Sequence, residues 1–371
     1  MNQLIQTIRI NQKAYPVEMA KQANVHTPSP LQLLFTGQYG ADSFPLSLAN
    51  FLTEWFDEKT TLKVHTSGST GTPKELFVEK QRMLNSARAT INFLGLKKGD
   101  TALLCMPLPY IAGKMVVVRA LTAELNLLLV TPCGHPLHAI SQIPTFAAMT
   151  PMQVFNSLEV PEEREILMQI EHLIIGGGAI DSKMAEVLHT FPRNVWSTYG
   201  MTETLSHIAL RRLSGTAASH WYTPFEGVTL SLSKENTLVI DAPNVCPEIL
   251  QTNDIVTFNE LGQFRILGRK DNTINTGGIK VQIEEVEAKL HDLLTFPFLI
   301  TSAPDPKFGE HIVLLAEGNY PPEEVLQKAF AHLPTYWRPK TTVIVDQLPL
   351  TGTGKPDRAK AKQLVQSKQM L

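Results

Sequence analysis

A chain of 371 residues, 43% hydrophobic and 18% charged, has the length for two globular domains and too much apolar content for a disordered one. Its formal net charge of −2 leaves no basic excess, which argues against a nucleic-acid partner. The most apolar long stretch, MVVVRALTAELNLLLV, is broken by Arg119 and Glu124, and the first twelve residues hold no apolar core, so neither an integral membrane segment nor a secretory signal is expected.

In chain order, SPLQLLFTGQYGADSFPLSLANFLTEWF (29–56) reads as helical packing material. From about residue 61 to 205 short apolar runs alternate with helix-like segments. TALLCMP, NLLLVTP, TFAAMTP, HLIIGGG and NVWSTYG have the look of buried strands, and QRMLNSARATINFL, AGKMVVVRALTAE and DSKMAEVLHTF that of helices between them. This rhythm predicts an α/β sheet of parallel strands. GVTLSLSKENTLVIDAP and DIVTFNELGQFRILG then read as hairpins with polar turns, a β-rich section. RKDNTINTGG (269–278) is polar and turn-rich and predicts a connector. Beyond it, VQIEEVEAKLHDLL puts Ile283, Val286, Leu290, Leu293 and Leu294 on one helical face. FPFLITSAP, HIVLLAEG and TTVIVDQLP alternate with PEEVLQKAFAHL, and the strongly polar tail DRAKAKQLVQSKQ is expected to be exposed. The division that follows is a large domain over 1–268, a joint at 269–271 and a small α+β domain over 272–371. Cys105, Cys133 and Cys246 are scattered, without CxxC spacing, which fits a reducing cytoplasm and gives neither a disulfide framework nor a zinc site.

The stretch His65 to Leu76, HTSGSTGTPKEL, follows a strand-like TTLKV. Glycine lets a phosphate approach the backbone, hydroxyls donate hydrogen bonds and a lysine adds positive charge, so TSGSTGTPK is a phosphate cradle on chemical grounds. It is not a Walker A loop, because Pro73 precedes Lys74 and Glu75 follows it.

Four more motifs follow: STYGMTE at 197–203, TND at 252–254, GRKDNTINTGGIK at 268–280 and PLTGTGKPDR at 349–358. Their order and content resemble the adenylate-forming superfamily, which includes acyl- and aryl-CoA synthetases, carrier-loading adenylation domains and luciferases. The resemblance covers roughly residues 60–371. It implies a large N-terminal α/β domain with a β-rich section and a small mobile C-terminal α+β domain. It also implies two steps: a carboxylate attacks the α-phosphorus of ATP and releases pyrophosphate, then a thiol displaces AMP. By that resemblance Thr66, Ser67, Gly68, Ser69, Thr70, Gly71 and Lys74 handle the β- and γ-phosphates. Gly177 and Gly178 line the nucleotide, Tyr199 stacks near adenine, Thr202 reaches the α-phosphate and Glu203 holds Mg2+. Asp254 and Arg269 bracket the ribose, Asp271 matches the hinge position, Gly277 and Gly278 admit the pantetheine arm of CoA, and Lys355 matches the catalytic lysine of the small domain.

The acid is addressed by weaker cues. PLPYIAGKMVVVRAL (107–121) stands where the superfamily keeps its acyl-pocket segment, with Tyr110-Ile111-Ala112-Gly113-Lys114 in place of the usual aromatic-His pair, and MTETLSHIALRRL (201–213) carries His207. Together these stretches are most similar to the o-succinylbenzoate–CoA ligases of menaquinone biosynthesis. That substrate is a dianion, and its non-reacting ring carboxylate calls for a cation or several donors. Lys114 is the first candidate, with Ser206, His207 and Thr204 nearby in sequence. The expected partners are therefore a small-molecule carboxylic acid, ATP and CoA. Alternatives are another aryl- or acyl-CoA ligase, an adenylation enzyme that loads a carrier protein, and, in a different class, a non-catalytic nucleotide-binding module. Only about 64 residues precede the phosphate loop, fewer than the superfamily usually has, so the acyl-pocket wall, the approach of CoA or the dimer surface is where a change is expected, with activity retained. No oligomeric state is implied.

Overall fold

In the computed structural model, residues 6–22, 27–65, 75–138, 140–178, 180, 182–350 and 356–369 are described. Seven of the loop candidates, Thr66 to Gly71 and Lys74, and the lysine candidate Lys355 lie outside the described residues. The chain divides into two compact units, Met1–Thr229 with Asp241–Ile249, and Leu230–Ile240 with Leu250–Leu371.

The first unit opens with a hairpin, β1 (Thr7–Ile10) and β2 (Lys13–Pro16), followed by α1 (Pro30–Tyr39) and α2 (Phe44–Trp55). Ser29 caps α1 through a reciprocal bond with Gln32, and proline in the first turn costs the helix no hydrogen bond. A second hairpin, β3 (Thr61–His65) and β4 (Glu75–Glu79), leads into α3 (Lys80–Leu94). The α/β rhythm then runs β5 (Thr101–Leu104), α4 (Ile111–Ala123), β6 (Asn126–Leu129), β7 (Phe146–Met149), α5 (Pro151–Glu159), α6 (Pro161–Gln169), β8 (His172–Ile175), α7 (Ser182–His189) and β9 (Asn194–Gly200). It closes with β10 (His207–Arg212) and the short β11 (Thr223–Pro224). The five strand segments and three helices read from this part of the sequence are all present. The α5–α6 pair and the β1–β2 hairpin were not among them.

One nine-stranded sheet carries this unit, in the order β11-β10-β9-β8-β7-β5-β6-β1-β2. From β9 to β1 every pairing is parallel. Strands β5 and β7 are buried throughout, as parallel strands covered on both faces must be. Leu103, Ala147, Met149, Leu173, Ile175 and Val195 form the centre of the core. After β5 the chain steps to β6 on one side, and from β7 onward it builds the other, so the order of connection reverses at β5 and β7. In open parallel sheets ligands bind outside the carboxyl ends of the strands near such a reversal.

The second unit holds two sheets. β12 (Thr229–Leu232), β13 (Thr237–Asp241), β14 (Leu250–Phe258) and β15 (Phe264–Arg269) form an antiparallel four-stranded sheet in sequence order. Next come β16 (Thr273–Thr276), β17 (Ile279–Gln282), α8 (Ile283–His291), β18 (Phe298–Asp305), β19 (Gly309–Glu317), α9 (Glu323–Ala331), β20 (Thr341–Val345) and α10 (Arg358–Gln369). The five strands here make a second sheet centred on β19, which pairs with β16, β18 and β20.

The β-rich section groups with the C-terminal region in the two compact units, while the joint expected at 269–271, about which parts would turn, is a separate property and stands as a proposal. Two readings of the sequence differ from this picture. The connector contains β16, joined to β17 by a two-residue turn in which Gly277 (φ 60°) and Gly278 (φ 81°) both adopt left-handed backbone. That geometry favours glycine, and a Cβ on Gly277 would lie 2.9 Å from the Phe308 ring. The polar tail is not simply exposed. Ala361 and Val365 of α10 are fully buried with Leu299, Val313 and Leu315 on one face of the second sheet, while Ile300, Ile312 and Leu314 face α8 and α9 on the other. Small apolar residues four apart bury one stripe of an otherwise charged helix.

Candidate active site

In the first unit two loops leave the carboxyl ends of the adjacent parallel strands β8 and β9. Gly176, Gly177 and Gly178 follow β8, and Tyr199 and Gly200 end β9. A Cβ on Gly176 would lie 2.4 Å from the Thr198 hydroxyl, so the two loops touch only because residue 176 has no side chain. A Cβ on Gly200 would lie 2.2 Å from the Ser206 carbonyl oxygen and 2.6 Å from the His207 Cα, which fixes glycine there as well. Between Gly200 and His207 the chain makes a tight turn stapled by the buried Thr204 hydroxyl, which accepts from the Met201 amide at 3.0 Å and donates to the Ser206 carbonyl at 2.8 Å. Thr204 is thus committed to the turn. Leu205 sits in left-handed backbone (φ 65°) at its apex. The turn holds out Thr202, half-buried, and Glu203, exposed and with no cation beside it among the described residues. Tyr199 is buried, with its ring edge-on to Tyr222 at 6.0 Å.

The residues suggested for the acid separate into two groups. Lys114 is buried, and its ammonium donates to the Lys63 carbonyl at 2.9 Å, lies 3.8 Å from the Glu54 carboxylate and sits over the Phe51 ring at 5.2 Å. Burial pushes its pKa down, against the pull of Glu54. These partners belong to β3 and α2. Ser206 and His207 are joined instead to Arg119, one and a half turns further along α4. The Arg119 Nη2 donates to the Ser206 Oγ at 2.7 Å. The Ser206 Oγ is 3.3 Å from the His207 Nδ1, the His207 Nε2 is 3.0 Å from the Thr90 Oγ1, and the Thr90 hydroxyl donates to the Ser86 carbonyl at 3.3 Å. His207 is buried and edge-on to Phe225 at 5.4 Å. Burial, with the Arg119 charge adding to it, holds its pKa well below 6.5, so it is a neutral imidazole. Arg119 is 2% exposed, has no carboxylate beside it among the described residues, and its buried Nε has no hydrogen-bond partner. Burial pushes its pKa down to about 9. A buried guanidinium without a counter-charge is costly, and an anion bonded to it would recover much of that cost. In the sequence the signal is a single arginine inside an apolar helical run. A cavity of about 240 Å3 opens between α3, β10 and the 225–228 and 242–245 segments, with His207 in its wall.

The remaining candidates lie in the second unit. Asp254 on β14 is directly opposite Arg269 on β15, and their side chains meet at 3.4 Å. Arg269 also grips Asp271 with both ends, Nε to Oδ1 and Nη2 to Oδ2, each at 2.9 Å. The Asp271 bond raises the pKa of Arg269. Burial works to raise the Asp271 carboxyl, and the bond from Arg269 outweighs it, leaving it below the usual range. Three residues named from two motifs are therefore one cluster.

The model of a family described as AMP-binding enzyme matches residues 57–249, a span that takes in the TSGSTGTPK loop, the Gly176–Gly178 loop and the Tyr199–Glu203 turn. A probable 2-succinylbenzoate–CoA ligase of Mycobacterium tuberculosis is 28% identical over 335 residues, covering 82% of this chain and 85% of that protein. A solved structure from Dyadobacter fermentans, described as an acyl-CoA synthetase (AMP-forming)/AMP-acid ligase II-like protein, is 29% identical with a TM-score of 0.61, covering 87% of this chain and 95% of that one. The o-succinylbenzoate coenzyme A synthetase (MenE) of Bacillus subtilis in complex with AMP has a TM-score of 0.68 at 22% identity over 81% of this chain and 68% of that one, a likeness of fold. The fold is that of the adenylate-forming enzymes, and the chain belongs to the AMP-binding enzyme family.

Proposed function

We propose that this chain is an ATP-dependent, AMP-forming acid–CoA ligase and that its acid is o-succinylbenzoate. In the first step an oxygen of the succinyl carboxylate attacks the α-phosphorus of ATP. The bond to the bridging oxygen breaks, and pyrophosphate leaves with its electron pair. In the second the CoA sulfur attacks the acyl carbon, the thiol proton is lost to solvent, and AMP leaves. The first step develops charge on phosphate oxygens and needs donors already aimed at them. Thr66, Ser67, Gly68, Ser69, Thr70, Gly71 and Lys74 would cradle the β- and γ-phosphates, Thr202 would reach the α-phosphate, and Lys355 would span the carboxylate and α-phosphate. Gly177, Gly178 and Tyr199 would line the base, Asp254 and Arg269 would hold the ribose, and Gly277 and Gly278 would lie along the pantetheine arm.

Glu203 fits a magnesium ion carried in on the triphosphate, because an exposed single carboxylate is the usual protein share of such an ion's ligands, phosphate oxygens and water filling the rest. Bound there, the ion would neutralise phosphate charge.

The observation that carries the choice of acid is the buried Arg119 guanidinium, which has no anion beside it among the described residues and leans on Ser206. A second carboxylate, one that is recognised and does not react, is the ligand such a pair would select. Relatives named for 2-succinylbenzoate support the same substrate. Lys114, with its neighbours in β3 and α2, supports the wall of this region in the proposal rather than the acid itself.

A panel of carboxylic acids with MgATP, scored for pyrophosphate, AMP and CoA thioester by mass, tests it. The expected result is thioester from o-succinylbenzoate and far less from benzoylpropanoate, its analogue without the ring carboxylate. Pyrophosphate release without thioester would point to another acceptor, and ADP in place of AMP would overturn the proposal.

A further inference from the structure

We propose that Thr90, on α3, is a positioning residue for acid selection: through His207 it fixes how Arg119 and Ser206 present their hydrogens to the acid's second carboxylate. This rests on the acid-binding role of Arg119 proposed above.

Hydrogens can be counted along one buried chain of side chains. Arginine has no acceptor, so at 2.7 Å the Ser206 Oγ must accept from the Arg119 Nη2. At the other end the single Thr90 hydroxyl hydrogen is assigned to the Ser86 carbonyl, 3.3 Å away. The Thr90 oxygen can then only accept from His207, which places the imidazole hydrogen on Nε2, 3.0 Å away. A neutral imidazole has one hydrogen, so Nδ1 is bare and accepts the Ser206 hydrogen across 3.3 Å. Every hydrogen is assigned, and all run one way, from Arg119 through Ser206 and His207 to Thr90 and the Ser86 carbonyl. In this register Ser206 is an acceptor toward Arg119 and nothing else competes for its lone pairs. The guanidinium is held at Nη2, and its unpartnered Nε is left for an anion.

Remove the Thr90 hydroxyl and the logic reverses. A buried Nε2–H without an acceptor is disfavoured, so His207 carries its hydrogen on Nδ1 instead. Nδ1 then donates to Ser206, which accepts from Arg119 on its other lone pair, and the Ser206 hydrogen loses its acceptor and its fixed direction beside the guanidinium. Arg119 keeps its charge and its place on α4. The loss falls on binding the second carboxylate, not on chemistry at the first.

The test uses Thr90→Val, which keeps the shape and removes the hydroxyl, with Thr90→Ser as the rescue. Imidazole nitrogen NMR, with the His207 resonances assigned by their loss in His207→Gln, reads the tautomer directly. The expected result is an Nε2–H imidazole in the parent chain and in Thr90→Ser, and Nδ1–H in Thr90→Val. With it, KM for o-succinylbenzoate rises about tenfold while kcat stays within about twofold, and the preference for o-succinylbenzoate over benzoylpropanoate falls by the same tenfold. An unchanged tautomer in Thr90→Val, or an equal loss of activity with both acids, overturns the inference. Arg119→Met separates the two layers. If it abolishes the preference and Thr90→Val does not, only the role of Thr90 is wrong; if it leaves the preference intact, the acid-binding reading falls and this inference with it.

Discussion

Lys114 and Arg119 lie five residues apart on the same helix, both cations, both buried, and they differ in what surrounds them. Lys114 has a carbonyl, a carboxylate and a ring as partners; Arg119 has one hydroxyl. The difference predicts opposite outcomes. Arg119→Met removes a buried charge that nothing neutralises, so the acid-free protein should melt at a higher temperature than the parent. The same change should cost o-succinylbenzoate about 100-fold in kcat/KM relative to benzoylpropanoate, since truncating one member of a buried charge pair costs about 2–5 kcal/mol. Lys114→Met should do the reverse, lowering stability by about 1–2 kcal/mol through the orphaned Lys63 carbonyl and leaving the acid ratio alone. Paired melting curves and acid ratios for the two variants decide it. His207 adds a pH dependence. Its folded pKa is depressed, so below the ordinary value of about 6.5 the unfolded chain takes up a proton that the folded chain refuses. Stability from this group is complete above that pH and is lost as pH falls toward the folded pKa. His207→Gln should flatten the decline in melting temperature between about pH 7 and pH 5. An unchanged slope would mean that His207 is not held neutral, while the other depressed histidines, His172 and His311, supply whatever slope remains.

Among the elements, what could be read in advance was what depends on local pattern. β5, β7 and β8 announced themselves as short apolar runs because strands covered on both faces need apolar residues at nearly every position, whereas β9 alternates. What escaped depends on partners distant in the chain. β1 pairs locally with β2, and it joins the large sheet only through β6, more than a hundred residues on. β14 begins at Leu250, ahead of the hairpin read from Asp254 onward, and sets Asp254 opposite Arg269 across the ladder. The candidate site divides the same way. Its glycines and the Thr202–Glu203 turn stood out by motif, whereas Arg119 and Thr90 acquire meaning only when α3, α4 and β10 are brought together. The tail is the plainest case, since two small residues in a lysine-rich helix are too faint a stripe to read without the sheet they cover. Val365→Ala would open a void beneath α10 against Leu299 and Val313 and should cost about 2 kcal/mol. Amide exchange in β18 and β19 is the readout, and it should quicken there while β5 and β7 stay protected; equal change in both sheets would count against a local role for α10.

At the scale of the whole molecule the proposed chemistry draws on both units: Thr202 and Glu203 belong to the first, Asp254, Arg269 and Lys355 to the second. Two successive reactions with different needs give a reason for such a division. Adenylation requires positive charge on phosphate oxygens, whereas transfer to CoA requires that sulfur reach the same carbon with pyrophosphate gone. One rigid arrangement serves both poorly, and a turn about Asp271 would let the second unit's chain serve each in order. The bidentate Arg269–Asp271 pair sits at that position, so a turn there would have to release or carry it. This leads to a kinetic separation. Lys355→Ala should slow pyrophosphate release from MgATP and acid by about 100- to 1,000-fold, the cost of one donor to a developing charge. Supplied with preformed acyl-adenylate, the same variant should make CoA thioester at nearly the parent rate. Asp271→Pro, which stiffens the joint and frees Arg269, should slow the passage from one step to the other while leaving single-turnover adenylation close to that of the parent. If Lys355→Ala slows both half-reactions equally, the lysine serves the fold of its domain rather than the first step, and the case for an exchange of faces about Asp271 goes with it.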